Sequence, residues 1–81
     1  MSAEPRIVVL VRDGCHLCEE ALRIIDAVCR DAEASWQAVD VDGDASLRAR
    51  YTDHVPVTFV DGEQLSLWFV DADALRAALA G

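Results

Sequence analysis

The spacing of apolar residues changes several times along this chain, and each change marks an element. From Arg6 to Val11 the run is nearly continuous, with three valines, an isoleucine and a leucine. That is the pattern of a strand buried on both faces. Arg12-Asp13-Gly14 breaks it. From Cys15 to about Arg30 the spacing turns helical: Cys18, Ala21, Leu22, Ile25, Val28 and Cys29 recur at three and four residues and form one stripe. Glu19, Glu20, Arg23, Asp26 and Arg30 take the other side. Glu19–Arg23 and Asp26–Arg30 are acid-first pairs four residues apart, the favourable order.

Alternation suits a second strand over Ser35 to Val41, with Val39 and Val41 on one face and Trp36 and Ala38 on the other. Asp42-Gly43-Asp44 ends it. A short helix is predicted from about Ala45 to Tyr51, capped by Asp44, with Leu47 and Tyr51 on one face. Pro56 opens a third strand, Val57 to Val60, and Asp61-Gly62 is a two-residue hairpin signal. The fourth strand, Glu63 to Phe69, is expected to point Leu65, Leu67 and Phe69 one way. Asp71 then caps a last helix, with Leu75, Ala78 and Leu79 facing inward.

The predicted order is therefore βαβαββα. A helix-length crossover makes the first two strands parallel, and the hairpin makes the last two antiparallel. The fold class is α/β, a four-stranded mixed sheet with helices on both faces. With 81 residues, no repeat and no linker, one domain over 1–81 is expected.

Composition excludes several function classes. Hydrophobic residues make up 53% of the chain and charged ones 27%, which argues against disorder. Ten Asp and five Glu against seven Arg give a net charge of −8, and no basic cluster exists to displace the counterions of a nucleic acid. The longest apolar run, Ile7 to Val11, is far short of a membrane span and has no basic leader. A cytoplasmic monomer that binds neither nucleic acid nor membrane is expected, with its cysteines kept as thiols.

Cys15-His16-Leu17-Cys18 carries the candidate chemistry. The motif follows a buried strand and opens a helix, where unpaired N–H groups and the helix dipole favour an anion such as a Cys15 thiolate. Residues three apart on a helix are neighbours, so Cys18 lies within disulfide reach. In a redox pair, Cys15 at the outer edge is the nucleophile and Cys18 on the apolar stripe is the resolving thiol. The competing reading is half of a metal site, which needs two further ligands from the candidates Cys29, His16 and His54.

Val8-Val9-Leu10-Val11-Arg12-Asp13-Gly14-Cys15-His16-Leu17-Cys18-Glu19-Glu20-Ala21 resembles the first strand and active-site turn of glutaredoxin-like proteins of the thioredoxin superfamily. Val55-Pro56-Val57-Thr58-Phe59-Val60-Asp61-Gly62 resembles that family's proline, strand and hairpin segment. Small bacterial members with a C-x-L-C-E-E-A turn are the most similar. The resemblance implies a thioredoxin-like fold and thiol–disulfide exchange through Cys15 and Cys18, with no cofactor or metal. It also implies a cis peptide bond before Pro56, with Val55 offering backbone groups to an extended substrate.

Arg12 is similar to the basic residue that favours the thiolate or a glutathione carboxylate in glutaredoxins, or else it is a solvated strand-end arginine. His16 either supports the Cys15 thiolate as an imidazolium or is an exposed turn residue. Asp71 remains where the family has acidic residues at the last helix. Two departures bear on the electron donor. His54-Val55-Pro56 stands where glutathione binders usually carry Thr-Val-Pro, and Leu67-Trp68-Phe69-Val70 stands where they carry a glycine pair. Bulk there is expected to close part of a glutathione groove. A thioredoxin-reductase-type donor is therefore favoured, with protein or low-molecular-weight disulfides as substrates. The alternatives from other classes are a metal or iron–sulfur carrier using the same thiolates, and a redox-inactive interaction domain.

Cys29 lies eleven residues beyond Cys18, about 16 Å along a helix, and reads as a small buried side chain. Asp40, Asp42 and Asp44 read as a strand end and a helix cap. Their glycine falls at the wrong position for a calcium loop, and Tyr51 stands where the bidentate glutamate belongs. Trp36 and Trp68 read as packing residues.

Overall fold

A computed structural model of the chain describes residues 5–80; residues 1–4 and 81, the ends of the expected domain, lie outside it. The strands are β1 (Ile7–Val11), β2 (Trp36–Asp40), β3 (Val57–Val60) and β4 (Glu63–Leu67). The helices are α1 (His16–Ala32), α2 (Ala45–Tyr51) and α3 (Ala72–Ala80), and a single 3-10 turn spans Val41–Gly43. The four strands form one sheet in the order β2-β1-β3-β4. β1 and β2 run parallel, as the crossover requires, and β3 and β4 antiparallel, as the hairpin requires; β3 also runs antiparallel to β1.

Alternation along β1 divides the core in two. Ile7 and Val9 join Val60 beneath Ile25, Val28 and Cys29 of α1 and Leu75 and Leu79 of α3. Val8 and Leu10 face the opposite way, with Val57, Val41 and the α2 residues Leu47 and Tyr51. This explains the unbroken apolar run: both faces of β1 are covered. Cys18 belongs to the second cluster although it sits on α1. Among the described residues, no helix is long and apolar enough to cross a membrane.

Several expectations are corrected. α1 begins at His16 and runs two residues beyond Arg30. It is closed by Glu33 in the left-handed region (φ 54°), a role more often taken by glycine. Val41 leaves β2 for the 3-10 turn, which Asp40 caps with a side-chain bond from the Asp42 N–H (2.9 Å). β4 ends at Leu67, so Phe69 is not a strand residue and does not point inward. Leu65 and Leu67 do not share a face either. Leu65 packs on the α1/α3 side and Leu67 on the α2 side, because the register shifts between Thr58 and Phe59. A bulge inserts one residue and reverses the alternation beyond it.

Candidate active site

The turn after β1 is built to end a strand and start a helix within four residues. Gly14 has φ +72°, a conformation that side-chain-bearing residues rarely adopt, and it reverses the chain. Cys15 is then extended (φ −102°, ψ 109°) and stands just outside the helix as its N-cap. Its Sγ accepts a hydrogen bond from the Cys18 N–H at 3.2 Å, and its carbonyl accepts from Glu19 N at 3.2 Å. The sulfur thus occupies the place where a helix most readily receives an anion.

The two cysteines differ in surroundings. Cys15 is half-buried on the rim of an open groove, whereas Cys18 is 3% exposed among Leu10, Val41, Val55 and Val57. The Cys18 thiol is pushed up to about 12, first by burial and then by its hydrogen bond with the Cys15 sulfur. A hydrogen bond from the Arg12 backbone and the nearby Arg12 guanidinium act the other way. Cys29 is also buried, and burial, followed by the Asp26 carboxylate, raises its thiol.

Arg12, Asp13, Cys15, Thr52, Asp53 and Val55 line the groove at Cys15. Arg12 Nη1 crosses to the loop after α2, donating to the Thr52 carbonyl (3.1 Å) and Oγ1 (3.3 Å). The Val55–Pro56 peptide bond is cis. The Pro56 carbonyl accepts from Trp68 N (2.8 Å), tying this loop to the end of β4.

Of the residues singled out in the sequence, Cys15, Cys18, Arg12, Val55 and Pro56 come together at one end of the sheet. His16 and Asp71 do not line the groove. The His16 ring is 99% exposed and its Nδ1 lies 3.6 Å from Glu19 Oε2, so Glu19 meets His16 rather than the expected Arg23. Asp71 caps α3, accepting from Asp73 N (2.9 Å) and Ala74 N (3.4 Å). Thr52 and Asp53 went unnoticed in the sequence. They are polar loop residues with no motif of their own, and only the fold brings them to Arg12 and Cys15. Trp68 packs outside the core: it is 44% exposed, has φ +64°, and stacks on His54 at 6.1 Å with the planes 14° apart.

A four-stranded mixed sheet with a two-cysteine turn opening the first helix and a proline loop beside it defines a thioredoxin-like module. Residues 6–80 match the glutaredoxin-like domain family (DUF836), and the chain belongs to that family. It is 31% identical to an uncharacterized protein of Mycobacterium tuberculosis, over 96% of this chain and 86% of that one. Two solved structures are similar along nearly the whole length. A Nitrosomonas europaea protein shows 34% identity and a TM-score of 0.75, covering 95% of this chain and 94% of its own. A protein from X. campestris shows 35% identity and a TM-score of 0.74, covering 91% of this chain and 95% of its own. A thioredoxin from Halobacterium salinarum is similar at 27% identity and 0.63, over 90% of this chain and 69% of that one.

Proposed function

We propose that the protein is a dithiol–disulfide oxidoreductase acting through Cys15 and Cys18. One observation carries this: the Cys15 sulfur is an accessible helix N-cap, directly backed by the buried thiol of Cys18. In the reducing direction, Cys15 as thiolate attacks one sulfur of a substrate disulfide. The substrate S–S bond breaks, a Cys15–substrate bond forms, and the departing sulfur leaves with the electron pair and takes up a proton. Cys18 then attacks Cys15 Sγ. The Cys15–Cys18 bond forms, the mixed disulfide breaks, and the Cys18 proton goes to the second departing sulfur. Two electrons and two protons pass to the substrate, leaving an intramolecular disulfide for an external dithiol donor to reduce.

Val55 and Arg12 both line the groove beside Cys15, which supports Val55 as the residue that offers backbone groups to an extended substrate and Arg12 as the cation beside the nucleophile. The donor favoured is of the thioredoxin-reductase type, since Trp68 and Phe69 occupy the segment where glutathione binders have a glycine pair. Peptide mapping of the oxidised protein should find a Cys15–Cys18 bridge with Cys29 free. Cys18→Ser should accumulate a mixed disulfide on Cys15, and Cys15→Ser should accumulate almost none. Equal trapping by both variants, or stoichiometric iron or zinc that blocks both thiols after aerobic purification, would overturn the assignment.

A further inference from the structure

Trp68 and Phe69 are the large apolar side chains left exposed among the described residues, at 44% and 69%. With Leu17, Ala21 and Ile24 they form a shallow apolar groove against α1. Single exposed apolar residues mean little, but two adjacent aromatics over an apolar groove mark a contact surface. That groove adjoins the one at Cys15. Leu17 is two residues from Cys15, and Trp68 Nε1 donates to the Asp53 carbonyl (3.2 Å) while its ring stacks on His54. Asp53 and Val55, on either side of His54, line the Cys15 groove. Trp68 lines the apolar groove and holds, through Asp53 and His54, the loop that lines the other.

Charge narrows the choice of occupant. Asp13 and Asp53 border the Cys15 groove and Glu20 borders the apolar one, against a single cation, Arg12, that is engaged with Thr52. The chain as a whole carries −8, which disfavours a second copy or an acidic ligand on this face.

We propose that this face selects disulfides in protein segments that carry a bulky apolar side chain beside the cysteine and a basic residue in reach, and that it rejects acidic thiols such as glutathione. This selectivity presupposes the dithiol exchange proposed above and assigns its substrate class. The apolar side chain seats between Phe69 and Ile24, and the basic one meets Glu20 or Asp53. The neighbouring substrate sulfur is then presented to Cys15. The substrate S–S bond breaks as the Cys15–substrate bond forms, and the other substrate sulfur leaves with the electron pair as a thiolate that takes up a proton from water.

The test is the rate at which the reduced protein is oxidised by four peptide disulfides. They combine leucine or alanine next to the cysteine with arginine or glutamate one position further out. Rates are taken relative to 2-hydroxyethyl disulfide, which is small and neutral, and glutathione disulfide is run alongside. Leucine and arginine should each raise the relative rate about five- to tenfold, and glutathione disulfide should be slower than the arginine–leucine peptide by at least about tenfold. Phe69→Ser should remove most of the leucine gain. Glu20→Gln with Asp53→Asn, or about 0.5 M salt, should remove most of the arginine gain. Equal rates for all four peptides, with 2-hydroxyethyl disulfide still reacting, would overturn the selectivity and leave the dithiol exchange standing. Failure of every disulfide to react would overturn the exchange itself and the selectivity with it. A concentration-dependent dimer abolished by Phe69→Ser would assign the face to a second copy and also overturn it.

Discussion

Cys15 and Cys18 differ by one helical turn and by a large change of environment, so their reactivities should separate cleanly. With its thiol pushed up to about 12 by burial, Cys18 carries far less thiolate at pH 8 than an ordinary cysteine. Iodoacetamide at pH 8 should therefore label Cys15 at least about a hundred times faster than Cys18, measured by peptide mass spectrometry. Comparable rates would mean that Cys18 is not held in the apolar cluster around Val41 and Val57. The same shift has a consequence for stability. A thiol whose folded-state value is raised stabilises the fold below its unfolded value and loses that contribution as pH climbs toward the folded one. The reduced protein should lose stability from about pH 9 upward, and Cys18→Ala should flatten that decline. Cys29 acts in the same direction, so Cys29→Ala should flatten it further.

At the scale of elements, the hairpin turn and the first strand are joined by a side-chain clamp. Asp61 and Gly62 both have positive φ (52° and 86°), the conformation that an Asp-Gly pair in a two-residue hairpin signals. Asp61 also receives Arg6 Nε (3.1 Å) and Nη2 (2.7 Å), while Arg6 Nη1 reaches the Leu79 carbonyl at the end of α3 (3.0 Å). The bond from Arg6, followed by its charge, holds the Asp61 carboxyl below its ordinary value. A lowered carboxylate stabilises the fold above its unfolded pKa and loses that contribution as pH falls through the folded one. Asp61→Asn keeps the turn and removes the charge, so its deficit against wild type should be full at pH 7 and shrink below about pH 4. A deficit unchanged down to pH 2 would detach the turn from the pair. Asp44→Ala is the matching test for α2: Asp44 accepts from Ser46 N (2.8 Å) and Leu47 N (3.1 Å), and losing that cap should cost about 1 kcal/mol in urea unfolding.

These elements also show where sequence reasoning reached and where it stopped. Periodicity located α1, α2 and α3, and the buried run located β1, because each depends on local spacing and on one covered face. The parallel crossover and the antiparallel hairpin followed from connection length. The bulge opposite Thr58 and Phe59 did not, since nothing in Glu63-Gln64-Leu65-Ser66-Leu67 distinguishes a regular strand from one with an inserted residue. The left-handed backbone of Glu33 and Trp68 escaped notice for a related reason: neither is glycine, so the residue type carried no signal. At the site, Cys15 and Cys18 were legible because a motif joins them. The Arg12–Thr52 contact spans forty residues and arises only when the sheet brings β1 beside the loop after α2.

At the scale of the whole molecule, electrostatics oppose folding more than they assist it. The sequence holds fifteen acidic side chains and seven arginines, and the described residues form a body about 32 × 28 × 17 Å, so at low ionic strength most of the surface charges act on one another. The Debye length at about 0.01 M salt is roughly 30 Å, as large as the molecule, and at physiological strength it falls to about 8 Å. Screening also weakens favourable pairs, including Arg6–Asp61 (2.7 Å), Asp26–Arg30 (3.0 Å) and Asp31–Arg76 (3.5 Å). Those pairs lie on the surface, where each contributes little, whereas the net charge of −8 destabilises the compact state as a whole. Repulsion should win. The melting temperature should therefore rise when sodium chloride is raised from about 0.01 M to about 0.2 M, most of the change coming in the first part of that range as the Debye length drops below the size of the molecule. Chloride is the salt to use, because sulfate would also strengthen apolar burial and confuse the cause. A melting temperature that falls with salt would mean that the surface pairs, and Arg6–Asp61 above all, outweigh the repulsion, and Asp61→Asn should then abolish the fall.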